Sequence, residues 1–202
     1  MLGHNRFVPS SRAAFRRRLD KDNRRWVLFL IAAASLTEFS LAIRPRLSSF
    51  ENSPAILVVL PFLMMVPFVG TVCLLAHSQL LRWTGRWLGG RATARDLHAT
   101  QAWSLLPVAA CMPIAVLPLL LACAKATSMS PAPGIEDVLD ASDLFVPVVA
   151  VLAGIWSVGR YVIYLSEAQK FSKLRAVMNH VGTAFVLLAA AAGIVLVARL
   201  VG

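Results

Sequence analysis

The stretch GRWLGGRAT, Gly85 to Thr93, has the spacing Gly, four residues, Gly, then a cation. A phosphate-binding loop needs nearly this: backbone amides to cradle the phosphate, a Lys to reach it, and a Ser or Thr next for Mg²⁺. Here Arg91 stands in the Lys position and Ala92 in the hydroxyl position. An apolar helical run precedes the loop instead of a strand, so a nucleotide site is not expected. A simpler anion chemistry remains. Thr93 and Asp96 have the spacing of a capping box. A helix N-terminus attracts anions, and Arg86, Arg91 and Arg95 flank this one. Trp83 and Trp87, four apart, share a helical face. Gly89 and Gly90 are expected to supply the left-handed turn that ends the helix. Together Arg86, Arg91, Arg95, Thr93, Trp83 and Trp87 are read as a lipid-interface site for anionic headgroups.

Two further groups of residues invite chemistry. Asp137, Asp140 and Asp143, with Glu136, form an oxygen-rich cluster of the kind that holds Ca²⁺ or Mg²⁺. Their stronger role is to stabilise the N-terminus of the following helix through its dipole. Glu38 and Arg160 fall within apolar stretches, and His77 ends one. An ionisable group inside a bilayer is costly and invites a functional explanation. Arg160 is close enough to a span end to snorkel to the surface. Glu38 and Arg160 belong near opposite leaflets, so a direct pair is not expected, and structural roles outweigh a proton path. Cys73, Cys111 and Cys123 are spaced wrongly for a zinc knuckle. Neither a Gly-x-Ser-x-Gly nor a His-Glu-x-x-His pattern occurs. No catalytic, cofactor or metal site is expected, and the protein is read as a non-enzyme.

The elements that position these residues are membrane spans. Of 202 residues, 58% are hydrophobic and 15% charged, an apolar share above the usual 45–50% or so of globular chains. The excess is concentrated in five blocks, near residues 26–43, 55–76, 102–123, 144–165 and 181–201. Runs of this length read as transmembrane helices. The expected fold is an all-α, polytopic bundle of five such helices over residues 26–202, with a basic arm over residues 1–25.

A net charge of +10 in a soluble chain would point to nucleic acid. Here the charge lies between the spans. Eight Arg and Lys precede the first span, Arg82, Arg86, Arg91 and Arg95 follow the second, and Lys170, Lys173 and Arg175 follow the fourth. The other connections offer only Arg44, Arg46 and Lys125. The positive-inside rule then places the N-terminus in the cytoplasm and the C-terminus outside. No nucleic-acid partner is expected. A competing reading makes the first span a cleaved signal peptide, against which stands its long basic leader. Six prolines lie within the spans, three of them in the third, at Pro107, Pro113 and Pro118. The run Ala189 to Gly193 offers small residues for close packing, inside the bundle or against a second copy.

The segment LGGRATARDLHATQAWSLLPV, Leu88 to Val108, resembles a part of the Yip-one domain family of multispan membrane proteins, through Gly89, Gly90, Ser104 and Pro107. The stretch from Val151 to Val195 is similar to that family's last two spans and their short connection. The resemblance covers roughly residues 55 to 200. It implies five spans, a cytoplasmic N-terminus and no catalysis; eukaryotic members are linked to vesicle trafficking and Rab-class GTPases. The family's Asp-Leu-Tyr-Gly-Pro motif is absent from the basic arm, which fits a bacterial-type member in the inner membrane. The expected role is that of a scaffold or partner-binding subunit, with membrane lipids, a protein partner or a second copy as partners and no cofactor. The alternative is a small transporter or channel component. A sealed interior would favour the first, and a polar cavity reaching Glu38 the second.

Overall fold

A computed structural model describes residues 24–45, 56–127 and 134–201. The described residues are almost wholly helical and contain no strand. The basic arm, up to Asn23, lies outside the described residues.

Among the described residues seven helices follow in order: α1 Arg24–Ile43, α2 Ile56–Trp87, α3 Ala94–Ser104, α4 Leu106–Ala110, α5 Met112–Thr127, α6 Ile135–Gln169 and α7 Lys173–Val201. Four of them, α1, α2, α6 and α7, are long and apolar enough to cross a membrane. Each of α2, α6 and α7 outruns its apolar block, because its helix continues through polar residues at the ends.

The third block departs from the single span expected for it. It is three helices in series, interrupted at Leu105 and Cys111, and its long apolar piece is only Met112–Leu121. Proline is the cause. Lacking an amide hydrogen, Pro107 leaves the carbonyl four residues back, that of Trp103, without its helical donor. Arg160 supplies the replacement, its Nη2 donating to the Trp103 oxygen at 3.1 Å. At the second break the Val108 carbonyl accepts from the Cys111 amide at 3.0 Å. It also accepts from the buried Thr37 hydroxyl of α1 at 3.2 Å. Side chains from α6 and α1 thus clamp the two irregular points. Backbone of this kind is tolerated at membrane depth only where such partners reach it. The snorkelling expected of Arg160 is replaced by this inward role, with its guanidinium carbon 5.2 Å from the centre of the Tyr164 ring.

The core lies where α1 meets α2, α3, α4 and α5, and where α3, α4 and α5 meet α6. Leu30, Ile31, Ala33 and Ala34 of α1 pack with Leu74, Ala102, Val108, Ala109 and Ala153. The α1–α2 approach is close at Gly70, where a Cβ would overlap the Ser35 hydroxyl. A second cluster joins Leu81, Leu97, Leu165, Ala168 and Ala176 below it. Helix α7 is mostly exposed along its length. Ala189 to Gly193 is among its exposed residues, so this small-residue run does not pack inside the bundle. At the end of the bundle near Arg44, that residue's Nε donates to Asp143 at 2.9 Å and its Nη2 bonds Ser142. Asp143 of the acidic cluster is therefore an ion-pair partner, tying α1 to α6.

Candidate functional site

The loop after α2 ends its helix by a hydrogen-bonding pattern that needs one left-handed residue. The Gly90 amide donates to the Gly85 carbonyl at 2.8 Å and the Gly89 amide to the Arg86 carbonyl at 3.0 Å. Gly89 has φ +83, as the position after a helix C-cap requires. Gly90 does not share that conformation, which corrects the expectation that both glycines make the turn.

Gly90 and Gly85 have another reason to lack a side chain. A Cβ on Gly85 would stand 2.2 Å from Gln169 Nε2, and one on Gly90 2.1 Å from Gln169 Oε1. Gln169, at the end of α6 and 1% exposed, lays its amide between the two glycines. Its Nε2 donates to the Leu81 carbonyl at 3.2 Å, and its Oε1 accepts from the Ala92 amide at 3.3 Å. Its own carbonyl accepts from the Arg91 amide at 3.3 Å. Where a phosphate loop would hold phosphate, this loop holds a glutamine.

The lock extends into α7. Fully buried Asn179 donates from Nδ2 to the same Leu81 carbonyl at 3.2 Å. Thr84 donates to Asn179 Oδ1 at 2.6 Å and lies 2.8 Å from the Thr183 hydroxyl. An unmet polar group here would cost about 1–3 kcal/mol, so the set fixes α2, α6 and α7 against one another.

On the outside of this corner sit the residues singled out from the sequence. Trp83 and Trp87 are exposed, with ring centroids 4.5 Å apart. Arg86, Arg91, Thr93 and Arg95 are exposed beside them. The Thr93 hydroxyl and amide bond the Asp96 carboxylate at 2.7 and 2.9 Å, and the Asp96 amide donates back to Thr93 at 3.2 Å. The expected capping box is present, with Asp96 bonded to the Thr93 amide. Two residues on, burial leaves His98 Nε2 without a partner and holds the ring's proton affinity below its ordinary value.

Glu38 is not part of this corner. It is exposed on α1 and lines an open-sided cavity of about 690 Å³ between the helices. Toward the cavity's other end His77 and His180 meet edge to face at 5.9 Å, and Tyr161 meets His180 at 5.0 Å. Gln101 orders this end. Its Oε1 accepts from Ser78 at 3.0 Å, and its Nε2 lies 2.7 Å from His77 Nδ1. The amide nitrogen must donate, so Nδ1 accepts and the His77 proton sits on Nε2. Arg160 lies outside the cavity lining, engaged with Trp103 and Tyr164.

Sequence reading missed Gln169, Asn179 and Gln101. Each is a lone amide at or near the end of an apolar run, and no periodic pattern marks it. The one usable signal is chemical: an amide in such a place must find a partner.

A chain whose described residues are almost wholly helical, with four apolar helices of membrane length and a proline-broken apolar segment repaired from its neighbours, is an integral membrane protein. The Yip1 domain family model matches residues 6–196. The chain belongs to the Yip1 domain family. No curated protein and no solved structure matches it.

Proposed function

We propose that this Yip1 domain protein crosses a bacterial inner membrane five times, N-terminus in the cytoplasm, and works as a non-enzymatic binding subunit. The α2–α3 corner is its working surface. One observation supports this above others: the Gln169–Asn179–Thr84 lock sits directly beneath the exposed Trp83–Trp87 pair and Arg86 and Arg91. A rigid base under aromatic and cationic side chains suits recognition, because little order has to be imposed on binding. Tryptophan at the headgroup layer and arginines facing it suit an anionic lipid surface. A protein partner is expected to share that surface.

A photo-crosslinking residue at Trp87 or Arg91, in native membranes, tests this reading. A recurring protein adduct together with anionic-lipid adducts is expected. Adducts to bulk lipid alone, in proportion to its abundance, would contradict it.

A second reading, a small transporter, draws on the cavity, which reaches Glu38 but has a mostly apolar wall in place of a continuous polar path.

A further inference from the structure

We propose that this open-sided cavity is a binding site for a lipophilic organic cation, with the Glu38 carboxylate as its counter-charge. The inference deepens the transporter reading and rests on it only for the passage of the ligand, not for its binding.

Size comes first. At about 690 Å³ the cavity falls within the roughly 300–1,000 Å³ typical of small-molecule pockets. Ser35 and Gly70 are in contact across α1 and α2. Glu38 lies three residues beyond Ser35 in one direction and His77 seven beyond Gly70 in the other. Ten residues of helix make the two ends about 15 Å apart along the bundle. Most of the wall between them is apolar, from Ile31, Leu74, Leu105, Val108, Val158 and Val162. An apolar body of moderate length fits.

Charge comes next. Glu38 is the one acidic side chain in the lining, and neither Lys nor Arg lines the cavity. No cationic partner reaches Glu38 among the described residues. Arg44 is held by Asp143, and Arg160 by the Trp103 carbonyl. His77 is a neutral ring that accepts at Nδ1. A carboxylate at this depth is costly when unpaired, and a bound cation is the partner the site lacks.

The chemistry also separates a soluble cation from an amine-headed lipid. Glu38 lies six residues inside Arg44, about 9 Å along the helix. A lipid's ammonium is anchored at the headgroup level, whereas a free lipophilic cation can descend to the carboxylate.

The test uses the full chain, purified in a neutral detergent, and two probes of one shape and opposite charge: tetraphenylphosphonium and tetraphenylborate. Saturable binding of the cation, with the anion a poor competitor, is the expected result. Glu38→Gln should weaken cation binding by roughly ten- to a hundredfold. Gly154 lines the cavity, and an added Cβ there meets nothing within 4 Å. Gly154→Phe should therefore occupy the space and weaken binding with Glu38 intact. The exposed thiol of Cys73 also lines the cavity, and in the unaltered chain the cation should slow its alkylation by a maleimide. This last readout holds even if a variant fails to fold. Any of three results would overturn the proposal: no saturable cation binding, equal affinity for the anion, or a folded Glu38→Gln protein that binds as the parent does. Uptake of the cation into proteoliposomes is measured separately. Binding without uptake upholds the site and removes the transporter reading.

Discussion

Why two glycines stand five apart beside an arginine is answered by one side chain. The Gln169 amide fills the space that a Cβ on either glycine would enter. Gly85→Ala should therefore push Gln169 off the Leu81 carbonyl and cost about 1–3 kcal/mol, as overpacking does. Gln169→Ala should make the same substitution nearly harmless, a less-than-additive pair that thermal unfolding in detergent will show. Thr93→Ala removes the capping hydroxyl and should cost about 1 kcal/mol. His98 gives the corner a pH dependence. Burial disfavours its protonated form, so the folded chain binds that proton less readily than the unfolded one. The stability this contributes is complete above the ordinary histidine range and is lost as pH falls through it. His98→Gln should flatten the acid limb of melting temperature against pH.

At the scale of the helix, the interrupted third segment is the part that sequence periodicity could not supply. Apolar run lengths located α1, α2, α6 and α7, and the capping box at Thr93 and the turn at Gly89 were readable from local spacing. These are short-range patterns, set within a few residues. The replacement of a lost Pro107 hydrogen bond by Arg160 joins residues 57 apart in the chain. Nothing near Arg160 announces it, and snorkelling was the better local reading. Separation along the chain likewise hid Gln169 from the Gly85 loop and the mostly apolar cavity from Glu38. The Arg160 clamp is open to a double-mutant cycle. Arg160→Met should destabilise by about 1.5–3 kcal/mol, the worth of a hydrogen bond to a charged group. In a Pro107→Ala background, where residue 107 regains its amide, the loss should shrink. Equal losses in both backgrounds would show that Arg160 does not serve the freed carbonyl.

For the molecule as a whole, the arrangement joins a fixed corner to a less tightly filled interior. Amides and hydroxyls close the Gly89 end, and an ion pair, Arg44 with Asp143, ties the other. Between them the open-sided cavity runs along α1, α2 and α6. Substituting Arg86, Arg91 and Arg95 together by Gln should reduce retention of anionic lipid, read by native mass spectrometry, and leave cation binding at Glu38 unchanged. The two surfaces are thereby separable.

The proposed orientation in the membrane depends on whether the proline-broken segment α3–α5 crosses the bilayer. If it does, the crossings number five and the termini lie on opposite sides. The direct measurement is a pair of C-terminal fusions, one to alkaline phosphatase and one to a fluorescent protein that matures only in the cytoplasm. An active phosphatase and a dark fluorophore are expected. An inactive phosphatase with a bright fluorophore would place the C-terminus in the cytoplasm and contradict the proposed arrangement of five spans with a cytoplasmic N-terminus.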